Sequence, residues 1–124
     1  MTGATNNLHP DLLAVLMQLE RRLATELYIT SGHRDTLHNT EVGGVPNSEH
    51  TYSPAKGADV RVLSSSMRVT MLKELFSMGV RRIGVGENFI HVGVASDKPA
   101  DVAWTYYPVP APKVPVMPSQ PVPV

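Results

Sequence analysis

The stretch from Ala58 to Val94, ADVRVLSSSMRVTMLKELFSMGVRRIGVGENFIHVGV, decides the fold. Ala58 to Leu63 alternates Val60 and Val62 with Asp59 and Arg61, the period of a strand with one buried face. Ser64, Ser65 and Ser66 then offer caps for a helix running to about Met78, where Gly79 ends it. Met67, Met71, Leu72, Leu75 and Phe76 supply its apolar face, and methionines at this spacing read as core. Val80 to Val85 and Phe89 to Val94 are two further strands, joined by Gly86-Glu87-Asn88 as a hairpin.

Upstream, Pro10 to Ala24 carries Leu12, Leu13, Leu16, Leu19 and Leu23 at helical spacing, with Pro10 suited to the first turn. Leu27 to Ser31 reads as a short strand closed by Gly32. Gly32 to Pro54 is polar, with turn signals at Gly43-Gly44 and Pro46-Asn47, and a loop of that length is either functional or disordered. The expected fold is α+β: two helices packed on one face of a small, mostly antiparallel sheet. Seven of the eleven prolines lie in residues 108–124, so the domain is expected to span 1–107 and be followed by a proline-rich disordered tail. Pro112, Pro115, Pro118 and Pro121 recur at the polyproline II period, which leaves a ligand for a proline-recognising partner as the other reading of that tail.

The chain has 124 residues, of which 42% are apolar, enough for one domain with a real core. Eleven basic and eleven acidic residues balance, which argues against a nucleic-acid or membrane-surface binder. There is no cysteine, so a metal site would use His, Asp or Glu. Met1 to Pro10 lacks the basic and apolar regions of a signal peptide, so the expected place of synthesis is the cytoplasm, as a soluble monomer.

The five histidines differ in setting. His9 precedes a helix and reads as a surface or capping residue, while His33 and His38 sit in the polar loop. His50 closes Ser48-Glu49-His50, and His91 falls inside the apolar strand Phe89-Ile90-His91-Val92. Asp59 lies on another apolar strand, where an inward carboxylate is costly without a cation. Three N and O donors on neighbouring strands match the composition of a catalytic zinc site, which leaves its fourth position to water. Core histidines held by hydrogen bonds, with Asp59 paired to Arg61 or Arg34, remain the other reading.

The segments Ser31-Gly32-His33-Arg34, Ser48-Glu49-His50, Gly57-Ala58-Asp59-Val60, Arg82-Ile83-Gly84 and Phe89-Ile90-His91-Val92 come in the order seen in zinc D-Ala-D-Ala carboxypeptidases. From about Leu8 to Tyr106 the chain resembles that family, the M15 peptidases, which includes phage L-alanyl-D-glutamate endopeptidases and shares its fold with the Hedgehog signalling domain. The resemblance implies that His50, Asp59 and His91 bind Zn2+ and that Arg34 contacts the substrate's carbonyl or carboxylate. It also implies a peptidoglycan stem peptide as substrate and, for a phage-type lysin, release to the cell wall.

Two departures stand out. Thr51 to Ala58, with Pro54, lengthens the connection between the first ligand and the aspartate. Asn88 and Gly93 stand where relatives carry an acidic residue, three before the last histidine or two after it. Glu87, one residue out of place, is the candidate catalytic base. Glu49 ranks behind it, because neighbours on an extended segment point opposite ways. A non-catalytic zinc-containing relative, such as a phage particle component or wall-binding module, is the first rival; a metal-free interaction domain working through its tail is the second.

Overall fold

The computed structural model describes residues 1–45 and 47–107. The expected proline-rich tail, 108–124, lies outside the described residues. Helix α1, Pro10–Leu23, starts as its sequence requires: Pro10 stands in the first turn and His9 is the N-cap, its Nδ1 accepting from the Asp11 N–H at 3.1 Å. Leu12, Leu16 and Leu19 on one stripe are fully buried, each burial stabilising by about 1.5–3 kcal/mol. Ala24 closes the helix in the left-handed conformation.

Among the described residues six strands form one sheet: β1 (Thr2–Gly3), β2 (Tyr28–Ser31), β3 (Gly57–Arg61), β4 (Arg82–Val85), β5 (Phe89–Gly93) and β6 (Val102–Thr105). Their spatial order is β1-β2-β3-β5-β4-β6. The expected hairpin is present as β4 and β5, and β3 pairs antiparallel with β5 on its other side. The sheet is mixed, however, because β1 runs parallel to β2 and β6 parallel to β4. Neither outer strand announces itself locally: β1 has two residues, and β6 depends on a partner some twenty residues away.

Helix α3 (Ser65–Ser77) has Ser64 as its N-cap, with the hydroxyl accepting from the Met67 N–H at 3.1 Å. Met71 and Leu75 are fully buried and Met67 and Leu72 partly so, but Phe76, read as core, is 59% exposed. A third helix, α2 (Thr36–Glu41), occupies the segment expected to be loop. It is capped by Asp35, whose carboxylate accepts from the His38 N–H at 2.7 Å, and carries no apolar stripe for a periodicity reading to find. The fold class is α+β, with three α-helices among the described residues where two were expected.

Pleating divides the sheet's faces. Ile29, Ala58, Val60, Ile83, Ile90 and Val92 join the α1 and α3 leucines and Met71 in one core. The alternate positions (Asp59, Arg82, His91, Gly93 and Trp104) point to the opposite face. Among the described residues no helix is long and apolar enough to cross a membrane.

Candidate metal centre

Asp59 and His91 sit directly opposite each other on β3 and β5, so the ladder register alone brings them together. His50 arrives from a 3-10 turn, Glu49–Thr51, capped by the Ser48 hydroxyl, which accepts from the His50 N–H at 3.2 Å. Backbone bonds clamp that turn: the Arg34 N–H donates to the His50 carbonyl at 2.8 Å and the Lys56 N–H to the Glu49 carbonyl at 3.0 Å. The lengthened connection does not separate the ligands. Its extra residues pack outward, where buried Ala55 bonds the Asn7 carbonyl and the His9 N–H, each at 2.8 Å.

His50 Nε2 lies 3.2 Å from Asp59 Oδ1, His91 Nδ1 lies 2.9 Å from the same oxygen, and the two nitrogens are 3.2 Å apart. Both histidines are 2% exposed. The three donor atoms could hold a metal ion together. A tetrahedral ion with bonds of about 2.0–2.1 Å spaces its ligand atoms about 3.3–3.4 Å apart, so this triangle needs only a few tenths of an ångström to open. The chemistry of the donors agrees. Gly32's carbonyl, 2.7 Å from His50 Nδ1, can only accept, so that nitrogen carries the proton and the Nε2 lone pair faces inward. A neutral His50 thus presents a bare nitrogen to a carboxylate and a second imidazole, an arrangement that calls for a cation.

Electrostatics point the same way. Burial acts to raise Asp59's pKa, but hydrogen bonds and charge from His50 and His91 hold the carboxyl well below its usual range. Burial acts to lower His91's pKa, yet Asp59 and Glu49 raise it above the ordinary imidazole value. Protons thus compete for the place a metal would fill.

Glu49 is placed otherwise than the sequence suggested. Its segment is a tight turn rather than extended chain, so Glu49 and His50 both engage His91. Glu49 is 2% exposed; burial pushes its carboxyl up, but His91, the Ala95 N–H and Arg82 hold it below normal. Glu87 is exposed in the β4–β5 turn, outside the His50–Asp59–His91 group, and its carbonyl accepts from Arg68. Arg34 is half-buried beside His50, its backbone N–H held by the His50 carbonyl and its Nε buried without a hydrogen-bond partner.

A cleft of about 450 Å³ adjoins the centre, bounded by Glu49, Arg82, His91, Lys98, Trp104 and Tyr106 among others. Trp104 stands 5.4 Å from the His91 ring, centroid to centroid, and Arg82 lies 5.1 Å above the indole. Composition gave no sign of this aromatic wall, because β6 was not foreseen.

No curated protein and no solved structure matches the chain. The family model described as Peptidase M15 does match, over residues 1–93, which takes in all three metal-site residues, and the chain therefore belongs to the M15 peptidase family.

Proposed function

We propose that this protein is a zinc metallopeptidase that hydrolyses peptide bonds in the peptidoglycan stem, as a D-Ala-D-Ala carboxypeptidase or an L-Ala-D-Glu endopeptidase. The observation that carries the reading is the convergence of His50 Nε2, Asp59 Oδ1 and His91 Nδ1 on one point in a chain of this family. His50, Asp59 and His91 would hold the metal with one position left open. Bound zinc would supply an acidified water and polarise the scissile carbonyl.

The remaining work falls to the chain's own groups. Arg34, tied to the His50 turn by its backbone, would present the outer nitrogens of its guanidinium to the substrate's carboxylate or carbonyl oxygen. Trp104 and Tyr106 give the peptide an amphipathic wall, and Lys98 adds a second cation to the cleft. A carboxylate would have to take the water's proton and pass it to the leaving amine, and the candidate is Glu87, exposed in the β4–β5 turn. A stem peptide, short and rich in carboxylates, suits a cleft of about 450 Å³ with cations at its edge.

One observation favours a second reading, a zinc-containing binding or structural module. Glu87 is exposed and outside the cluster, while both oxygens of Glu49 are occupied. Digestion of purified peptidoglycan by the zinc-loaded wild type and by Glu87→Gln separates the two. Release of wall peptides by the wild type, lost in Glu87→Gln with zinc retained, supports the peptidase and its base. A zinc-loaded wild type that releases nothing supports the module.

A further inference from the structure

His91 has two ring nitrogens with opposite tasks. Nδ1 faces Asp59 and His50, whereas Nε2 lies 3.0 Å from Oε1 of Glu49. A neutral imidazole carries one proton, and which nitrogen bears it decides whether a lone pair reaches the centre. Asp59, 2.9 Å from Nδ1, competes for that proton, so the ring needs a stronger claim on its far side.

Glu49 is built to make that claim. Its other oxygen, Oε2, accepts the Ala95 N–H at 3.0 Å and lies 3.1 Å from Arg82 Nε. Arg82 is itself fixed, donating from Nη1 to the Pro99 carbonyl at 2.6 Å. The carboxylate also sits in space that only glycine leaves open. A Cβ on Gly93 would collide with both carboxylate oxygens, and one on Gly57 would meet His91 Cε1 at 2.6 Å and the Glu49 Cβ at 2.7 Å. Gly57 and Gly93 are paired across β3 and β5, so the ladder leaves a notch without side chains where the Glu49 side chain meets the edge of the His91 ring.

We propose that Glu49 is a positioning residue: seated in the Gly57–Gly93 notch and anchored by Ala95 and Arg82, it holds His91's proton on Nε2 and turns the Nδ1 lone pair toward His50 and Asp59. The inference rests on the metal-site reading above. It makes Glu49 a partner of a ligand, since both its oxygens are engaged away from the reacting atoms.

Glu49→Gln tests this sharply because its orientation is dictated. The Ala95 N–H demands an acceptor at the Oε2 position and the nearby Arg82 charge favours one, so the amide oxygen goes there and the NH2 faces His91 Nε2. Nε2 must then accept, which drives the ring proton onto Nδ1. Gly93→Ala tests the same contact by displacing the carboxylate without touching any ligand.

The experiment combines zinc affinity by chelator competition with nitrogen-15 NMR of the His91 ring in metal-free protein at alkaline pH. The expected result is an Nε2–H tautomer in wild type, an Nδ1–H tautomer in Glu49→Gln, and zinc affinity ~10- to 100-fold weaker in both variants. Folded variants that bind zinc within twofold of wild type would overturn the inference and leave the metal site standing. A wild-type His91 with its proton on Nδ1 would overturn it without any variant. A wild type that binds no zinc would instead overturn the metal-site reading, and the tautomer would still decide the role of Glu49.

Discussion

Asp59 is the residue on which the two imidazoles converge, and its charge is what a metal would share with them. Asp59→Asn keeps the shape and removes the charge, so it should weaken zinc binding by more than the ~10- to 100-fold expected for losing an outer partner. Chelator competition checks this. The pH dependence follows from the same contacts. His91's raised pKa means that its proton stabilises the metal-free fold fully below the ordinary value of 6.5, and that this contribution fades as pH rises through the raised value. Asp59, held low, contributes above 3.8, and its share is lost as pH falls through its depressed value. Zinc requires His91 Nδ1 bare, so zinc affinity should begin to fall at a pH above 6.5 on acidification, higher than for an ordinary imidazole. Titrations showing constant affinity down to pH 6.5 would contradict the assignment. At this scale the sequence was informative where a polar residue interrupted an apolar strand, as Asp59 and His91 do. It offered Glu49 only as the weaker base candidate, because the contact with His91 depends on a turn bending the chain and on Gly93 having no side chain.

At the scale of elements, what a local pattern dictates was legible and what a distant partner dictates was not. Helix α1 starts at Pro10 as its leucine spacing requires, and α3 follows its serine cap. Strands β3, β4 and β5 carry enough alternation to be read. Helix α2 was missed because its six residues, capped by Asp35, hold a single apolar side chain, Leu37, and so show no stripe, and β6 because its parallel pairing with β4 leaves no local trace. The elements also divide labour between the faces of the sheet. Leu75→Ala on α3 empties a fully buried position and should cost ~2–5 kcal/mol, while Ser64→Ala should cost ~1 kcal/mol through the lost cap. Neither residue belongs to the metal group, so denaturant unfolding should register both changes while zinc stoichiometry stays the same.

For the whole molecule, the sheet is a partition with an apolar core on one side and a polar centre on the other. The centre ties together β3, β5 and the 49–51 turn, which are far apart in sequence, so a bound metal acts as a cross-link of the native state. Free zinc at about 100 times its dissociation constant should stabilise the fold by ~2.7 kcal/mol. For a domain of this size that is a rise in Tm of roughly 10–20 °C, reversed by chelator. Among the described residues every element and the three-residue metal group lie before Tyr106. We therefore expect a chain ending at Tyr107 to melt and bind zinc as the full chain does, and a truncated chain that loses either would move the proposed domain boundary.

The central claim is that His50, Asp59 and His91 form one metal site. Elemental analysis of purified wild type beside His91→Ala, with folding of both checked by circular dichroism, tests it most directly. The account predicts about one zinc per wild-type chain and none retained by the variant. A folded wild type that takes up no zinc, or a variant that keeps it, would contradict the site.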